Sequence, residues 1–500
     1  MHREDYGATL ILMLGFAAAT ITGFLREATL AHQLGAGRAT DIYLVAFAIP
    51  EFLFLALPIV VWPAFIPHFA DLRLRAGETA AWRFGLRVAA GLLMLLLALT
   101  VLVVVTAPLY LHWLAPGFDL FERLQASQAL RLMSPAICLM GGVALAGAAL
   151  QVYRRFARPA LATATYNLTF VAALLLLPLA WPAGRAAWGV TMGAAAALLL
   201  LLSLLVRFRP ATLAVGVENG KREPSVGLGQ VARLAAPLAA AYAVHHAILL
   251  VDRAMATTLG EGSVATLNYG YRLALVVGQL SGLAVSTAMF PRMAEQAAND
   301  DRGGLRSSLA AALRFVWMIG LPACCGLILL RAPLVKVVYE RGAFDRAATA
   351  AVSDVLVWYA VAVLADALCQ PLWRVLYAWR KTGTVLAVNG LQTSIRILCN
   401  VAAIQYLGYN GLALSAALGL TIQLITLGLL VRRDLGYFLT GEWWRSAAKV
   451  VLATTFALAV AGLLASQFSA ASALVILLTG STSGTLVYFV AFWFLEVRSA

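Results

Sequence analysis

The stretch TGFLREATLAHQLGAGRATD, Thr22 to Asp41, closes the first strongly apolar run of the chain. It sets Arg26 and Glu27 side by side where a membrane helix ordinarily carries Leu or Val. The run before it, residues 8–25, is of a length to cross a bilayer, which takes about 20 mostly apolar residues. It has no clear A-x-A cleavage site and many similar runs follow, so it reads as a retained span and not as a signal peptide.

Composition agrees. Of 500 residues, 62% are hydrophobic and only 12% are charged, against about 25% charged in a soluble domain. The mean hydropathy is +0.86. The chain is an all-α polytopic membrane protein. Its net charge of +14 fits Lys and Arg gathered in cytoplasmic loops. Nucleic-acid binding is excluded, because no soluble segment carries a basic face. Cys138, Cys324, Cys325, Cys369 and Cys399 all fall inside apolar runs without metal-binding spacing, and read as buried small hydrophobes. His245 and His246 lack a third ligand, so no metal site is expected. No catalytic triad, phosphate loop or nucleotide motif occurs, and the chain is not expected to be an enzyme.

Fourteen spans are expected, starting near residues 8, 42, 88, 130, 159, 187, 231, 264, 308, 352, 384, 409, 446 and 471. Basic loops at Arg73–Arg87, Arg155–Arg158, Arg207–Arg222 and Arg432–Arg433 share one side if both termini are cytoplasmic. The basic loop Arg331–Arg346 falls on the opposite side.

The chain repeats itself at an offset near 224. FIPHFADLR (Phe65–Arg73) matches MFPRMAEQA (Met289–Ala297). TAPLYLHWLAPGFD (Thr106–Asp119) matches RAPLVKVVYERGAFD (Arg331–Asp345), and VYRRFA (Val152–Ala157) matches LYAWRK (Leu376–Lys381). The expected organisation is an N-terminal six-helix lobe (1–210), a cytoplasmic linker (211–230), a C-terminal six-helix lobe (231–433) and two extra helices (434–500). Six is even, so the lobes have the same sense in the membrane, the parallel repeat of transporters whose substrate path lies between lobes.

Charges inside spans cost at least about 2.5 kcal/mol each at mid-bilayer and mark cavities or partners. Arg26, Glu27, Asp41, Glu51, Asp252, Arg253 and Arg272 sit in the first two spans of each lobe. Arginine suits phosphate, because its planar fork grips two oxygens. Neighbours on a helix point about 100° apart, so Arg26 and Glu27, like Asp252 and Arg253, are expected to need partners elsewhere. The alternative is that these are internal ion pairs near helix ends. Pro50, Pro58 and Pro63 should bend span two. Gly270, Gly278 and Gly282 either loosen span eight or let helices pack closely.

GFLREATLAHQLGAGRATDIYLVAFAIP (Gly23–Pro50), APGF (Ala115–Phe118), GSVATLNYGYRL (Gly262–Leu273), FPRMAE (Phe290–Glu295) and LYAWRKT (Leu376–Thr382) resemble the MurJ/MviN family. Its members flip lipid II, the undecaprenyl-diphosphate-linked peptidoglycan precursor. They belong to the multidrug/oligosaccharidyl-lipid/polysaccharide exporter superfamily. The resemblance implies a flippase for a polyprenyl-diphosphate-linked glycan, lipid II or a relative, working by alternating access in the bacterial inner membrane. Substrate-binding residues would be Arg26, Glu27, Asp41, Glu51 and Arg272. Asp252, with Asn389 and Thr393, would couple sodium; membrane potential is the other coupling source weighed, and no further cofactor is expected. Partners would be the lipid-linked glycan, membrane lipids and cell-envelope synthesis proteins, with the chain a monomer. The two C-terminal helices would form a groove for the lipid tail. Thr20 and Phe54 stand where the family carries arginines, which leaves room for a differently charged head group. Two other readings stay open: a drug or cation antiporter of the same superfamily, and a non-transporting cell-envelope scaffold.

Overall fold

In lipid, a backbone must satisfy its own N–H and C=O groups, and a helix does so within one segment. The computed structural model describes residues 3–155, 157–210, 228–468 and 471–497, and it is helical throughout, without a strand among them. Thirteen helical segments among the described residues are long and apolar enough to cross a membrane. The expected first span is helical in backbone, but most of its side chains before Ala17 lie outside the described residues. The same holds for the expected linker as far as residue 227.

Packing divides the chain into two compact units, Met1–Val264 and Ala265–Ala500. The first holds α1 (Arg3–Leu34), α2 (Arg38–Arg75), α3 (Glu78–Leu114), α4 (Leu120–Met133), α5 (Pro135–Val152), α6 (Ala157–Leu176), α7 (Pro182–Leu205) and α8 (Leu228–Thr257). The helix α8 follows the linker, and the internal repeat counts it with the second lobe. It packs on α2 and α3. A core of Phe65, Phe69, Phe84, Val88 and Ile137 joins α2, α3 and α5, with Phe65 and Phe84 stacked at 5.8 Å. On its outer face α3 leaves Leu93, Met94, Leu95 and Leu97 exposed, the surface of a helix meeting lipid tails.

The second unit holds α9 (Ser263–Gly278), α10 (Ala284–Ala298), α11 (Arg302–Leu329), α12 (Arg331–Tyr339), α13 (Arg346–Ala378), α14 (Thr382–Leu407), α15 (Tyr409–Leu435), α16 (Gly441–Gln467) and α17 (Ala473–Val497). Leu309 and Val316 of α11, Leu372 and Leu376 of α13, and Leu427 and Val431 of α15 form its core.

The sequence repeat has local structural counterparts. Asp119 caps α4, its Oδ1 accepting from Glu122 N at 2.8 Å. Asp345 caps α13, its Oδ1 accepting from Ala348 N at 2.8 Å. Each ends its copy of the repeated loop. The helix ends that follow also match, but in a register shifted by two residues from the sequence alignment. Arg155 N donates to Leu150 O and Lys381 N to Leu376 O, while Arg154 and Arg380 take left-handed φ of 55° and 56°. Both are Schellman closures. The equivalent segments are therefore Leu150–Arg155 and Leu376–Lys381, because the cap geometry, not side-chain similarity, fixes the register.

The four prolines of α2, Pro50, Pro58, Pro63 and Pro67, all lie inside one helix of 38 residues. Between α9 and α10 the chain makes a π-helical turn, Gln279–Leu283. A Cβ on Gly278 would meet Val363 Cγ1 at 2.6 Å, and one on Gly282 would meet Ala367 Cα at 2.6 Å. The glycines allow close approach to α13; Gly278 immediately precedes the widened turn and Gly282 lies within it.

Candidate functional site

Three helices of the first unit assemble the buried charges. On α1, Arg26 turns back on its neighbour: its Nη2 donates to Glu27 Oε1 at 2.7 Å, with both side chains largely buried. The expectation that adjacent residues could not pair is corrected here. Their Cα–Cβ bonds diverge, but the long arginine stem bridges the divergence. The guanidinium lies against the rings of Tyr166 and Phe170 on α6, at 5.9 and 5.7 Å from their centroids. One of its five donors is engaged by Glu27.

Glu51 lies on α2, one residue after Pro50. Its Oε2 accepts from Arg253 Nη2 of α8 at 2.5 Å, with 8% and 9% of the two side chains exposed. The second guanidinium nitrogen of Arg253, Nη1, is buried and has no hydrogen-bond partner among the described residues. Tyr43 and Tyr166 lie within electrostatic reach of Arg26, Glu27 and Glu51. The structure thus forms two neutral ion pairs, Arg26–Glu27 and Arg253–Glu51, with Arg26, Glu27 and Glu51 all within electrostatic reach of Tyr166. Arg253 was legible as a charge within a span, but its pairing with Glu51 was not. Its neighbour Asp252 drew the eye as a pair, whereas its actual partner is 202 residues away.

Asp41 lies apart. It is fully buried and its Oδ2 accepts from Gly262 N at 2.7 Å. Ten residues separate it from Glu51, about 15 Å along a helix. Nearby, Arg38 N donates to Glu261 Oε1 at 3.0 Å, so the start of α2 is tied to the segment after α8. Asp252 is half-buried on α8.

The remaining residues belong to the second unit. Arg272 is half-buried on α9. Asn389 of α14 accepts from Gln423 Nε2 of α15 at 3.1 Å, and Thr393 lies one turn further on. Thr20 is exposed, and Phe54 packs edge-on to Phe47 at 5.9 Å within the first unit's core. Among the described residues, no three His, Cys, Asp or Glu side chains converge as a metal site.

Comparison with known proteins gives these helices a family. A family model described as "Lipid II flippase MurJ" matches residues 30–482. The lipid II flippase MurJ of Burkholderia cenocepacia is 27% identical over 463 residues, covering 91% of this chain and 89% of that protein. The probable lipid II flippase MurJ of Haemophilus influenzae is 27% identical over 421 residues, 81% of each chain. Among solved structures, lipid II flippase MurJ in an inward closed conformation superposes with a TM-score of 0.80 at 20% identity, covering 98% of this chain and 99% of that one. An inward-facing multidrug resistance MATE family transporter reaches 0.67 at 14% identity over 84% of this chain and 95% of its own. The solved structures bear on the fold, and the family model on ancestry; since it spans nearly the whole helical array, the chain belongs to the lipid II flippase MurJ family.

Proposed function

We propose that the chain moves a polyprenyl-diphosphate-linked glycan, lipid II or a close relative, across the bacterial inner membrane by alternating access. The observation that carries this reading is two largely buried ion pairs, Arg26–Glu27 on α1 and Arg253–Glu51 between α8 and α2, inside the helical array of a MurJ family chain. Arg26 gives one donor to Glu27 and sits beside Tyr166, and Arg253 Nη1 is unpaired among the described residues. A diphosphate would take both arginines. The carboxylates hold the guanidinium groups in place and screen them between cycles, which keeps the empty state from carrying uncompensated buried charge. Arg272 on α9 is a further diphosphate contact in this reading. Asp41, by its bond to Gly262 N, serves to position the start of α2.

No covalent step is required. Sodium coupling through Asp252, Asn389 and Thr393 belongs to the same proposal, as does a cytoplasmic location for both termini.

The test is a flipping assay in proteoliposomes containing lipid II, together with depletion in cells. Wild-type protein should expose lipid II to the opposite leaflet, and depletion should accumulate a polyprenyl-diphosphate-linked intermediate. Arg26→Ala and Arg272→Ala should each abolish flipping while still reaching the membrane. Full activity in both variants, or export of cationic drugs that survives Arg26→Ala, would overturn the reading.

A further inference from the structure

The arginine-rich end of the first unit carries an aromatic column with a cation at each end. Arg73 at the close of α2 lies over the ring of Tyr153 at 4.4 Å. Tyr153 stacks on Phe208 at 4.5 Å with 22° between planes. Arg158 at the start of α6 lies over the other end, 5.5 Å from the Phe208 centroid. Hydrogen bonds brace the column: Tyr153 Oη donates to Glu78 Oε2 at 2.7 Å, Trp82 Nε1 donates to Tyr153 Oη at 2.9 Å, and Arg73 Nε donates to Glu78 Oε1 at 2.6 Å. A pocket of about 440 Å³ opens here, lined by Arg73, Glu78, Tyr153, Arg154 and Phe208 among others.

Glu78 compensates one cation only. Arg154, left-handed at φ 55°, is exposed at the pocket, and its side chain has no carboxylate partner among the described residues. The Nη1 of Arg158 is buried without a hydrogen-bond partner among them. The pocket therefore offers an anion Arg154 directly, beside the Glu78-paired Arg73.

Trp82 also lines a second cavity, an apolar groove of about 320 Å³ that runs over α5 with α3 and α7 as walls. Gly141 and Gly142 line it and let α3 and α7 close in: a Cβ on Gly141 would lie 2.1 Å from Leu96 Cδ1, and one on Gly142 2.9 Å from Leu198 Cδ1. Leu86 and Leu93 on its rim are 54% and 53% exposed. From Leu86 to Leu96 the groove follows ten residues of α3, about 15 Å. That is half of a hydrocarbon core about 30 Å thick, the depth of one leaflet.

We propose that this groove and pocket together bind one anionic glycerophospholipid, its acyl chain along α5 between α3 and α7 and its phosphate on Arg154 and Arg73, with Arg158 beyond Phe208 adding positive potential. Charge selects the head group, and the one-leaflet length selects a bilayer acyl chain over a far longer polyprenyl tail. The site is separate from the buried ion pairs on α1, α2 and α8, and it does not depend on the transport reading. It would make the protein's anchoring sensitive to the anionic lipid content of the leaflet that meets this end.

The test uses the purified full-length chain and native mass spectrometry of retained lipid. Phosphatidylglycerol and phosphatidylcholine with the same acyl chains are offered separately, with glycerol phosphate and undecaprenyl phosphate as further arms. Phosphatidylglycerol should be retained at least about tenfold over phosphatidylcholine, and Arg154→Gln and Arg158→Gln should each cut that preference about fivefold. Ala89→Phe, which fills the groove without changing charge, should reduce retention of both lipids. Equal retention of the two lipids, or an unchanged preference in the arginine variants, overturns the proposal. So does competition by glycerol phosphate at matched concentration, or stronger retention of undecaprenyl phosphate than of phosphatidylglycerol. Should Ala89→Phe fail to fold, the arginine variants, which need no repacking, still decide the outcome.

Discussion

Arg26 and Arg253 are each met by a carboxylate, but at different costs of removal. Arg26 packs on two aromatic faces and retains partial exposure. Arg253 is enclosed, and Glu51 is the carboxylate that holds it. Taking away one partner of a buried pair leaves an uncompensated charge and costs about 3–5 kcal/mol. Glu51→Ala should therefore lower thermal stability markedly, read as the melting temperature of detergent-purified protein. Replacing the whole pair, Glu51→Leu with Arg253→Met, should recover most of that stability, since apolar residues of similar volume often substitute for a buried pair at little cost. If the pair serves transport, the double variant stays inactive in the proteoliposome assay despite its recovered stability. Recovered flipping would reduce Glu51 and Arg253 to a structural tie between α2 and α8.

At the scale of elements, caps and close contacts carry the weight. Asp119 and Asp345 end equivalent loops and cap helices in different units. Loss of such a cap costs about 1 kcal/mol. Asp119→Ala and Asp345→Ala should each lower stability by about that amount, and the double variant by the sum, as for sites without shared partners; melting curves of the three variants check this. The π-helical turn between α9 and α10 responds differently. A side chain on Gly282 would drive into the backbone of α13, and overpacking of this kind costs about 1–3 kcal/mol. Gly282→Leu should destabilise the second unit, whereas Gly383→Ala, at a position with open space around it, should leave the melting temperature unchanged. Helices were the easiest elements to read from sequence, because long apolar runs admit no other regular structure in lipid. The π turn and the two-residue register shift in the repeat were not readable, because both depend on which carbonyl a backbone N–H finally meets.

At the scale of the whole molecule, the proposed sodium coupling has a direct kinetic consequence. If sodium drives the cycle, a sodium gradient should accelerate flipping in wild-type proteoliposomes. Asp252→Asn should remove that acceleration while a basal rate persists. A wild-type rate indifferent to sodium at fixed membrane potential would remove Asp252, Asn389 and Thr393 from the coupling scheme. The proposed diphosphate site makes a prediction about cargo as well: if a diphosphate binds Arg26 and Arg253, it competes with Glu27 and Glu51 for them, and the substrate should bind more tightly when either glutamate becomes glutamine. Equilibrium binding of the lipid-linked substrate to Glu27→Gln checks this directly.

The sequence by itself determined that the chain is a membrane-embedded array of helices, that it is internally duplicated and that it resembles the MurJ/MviN family. Those properties are written in hydropathy and local motif, which act over tens of residues. Only the tertiary structure decided which charges meet. It paired Arg26 with the neighbour that helix geometry had seemed to exclude, joined Arg253 to Glu51 across 202 positions, and turned Asp41 to a backbone amide after α8. The physical reason is the same in each case: a buried charge is stabilised by whatever partner packing brings within about 3 Å, and distance along the chain says nothing of that.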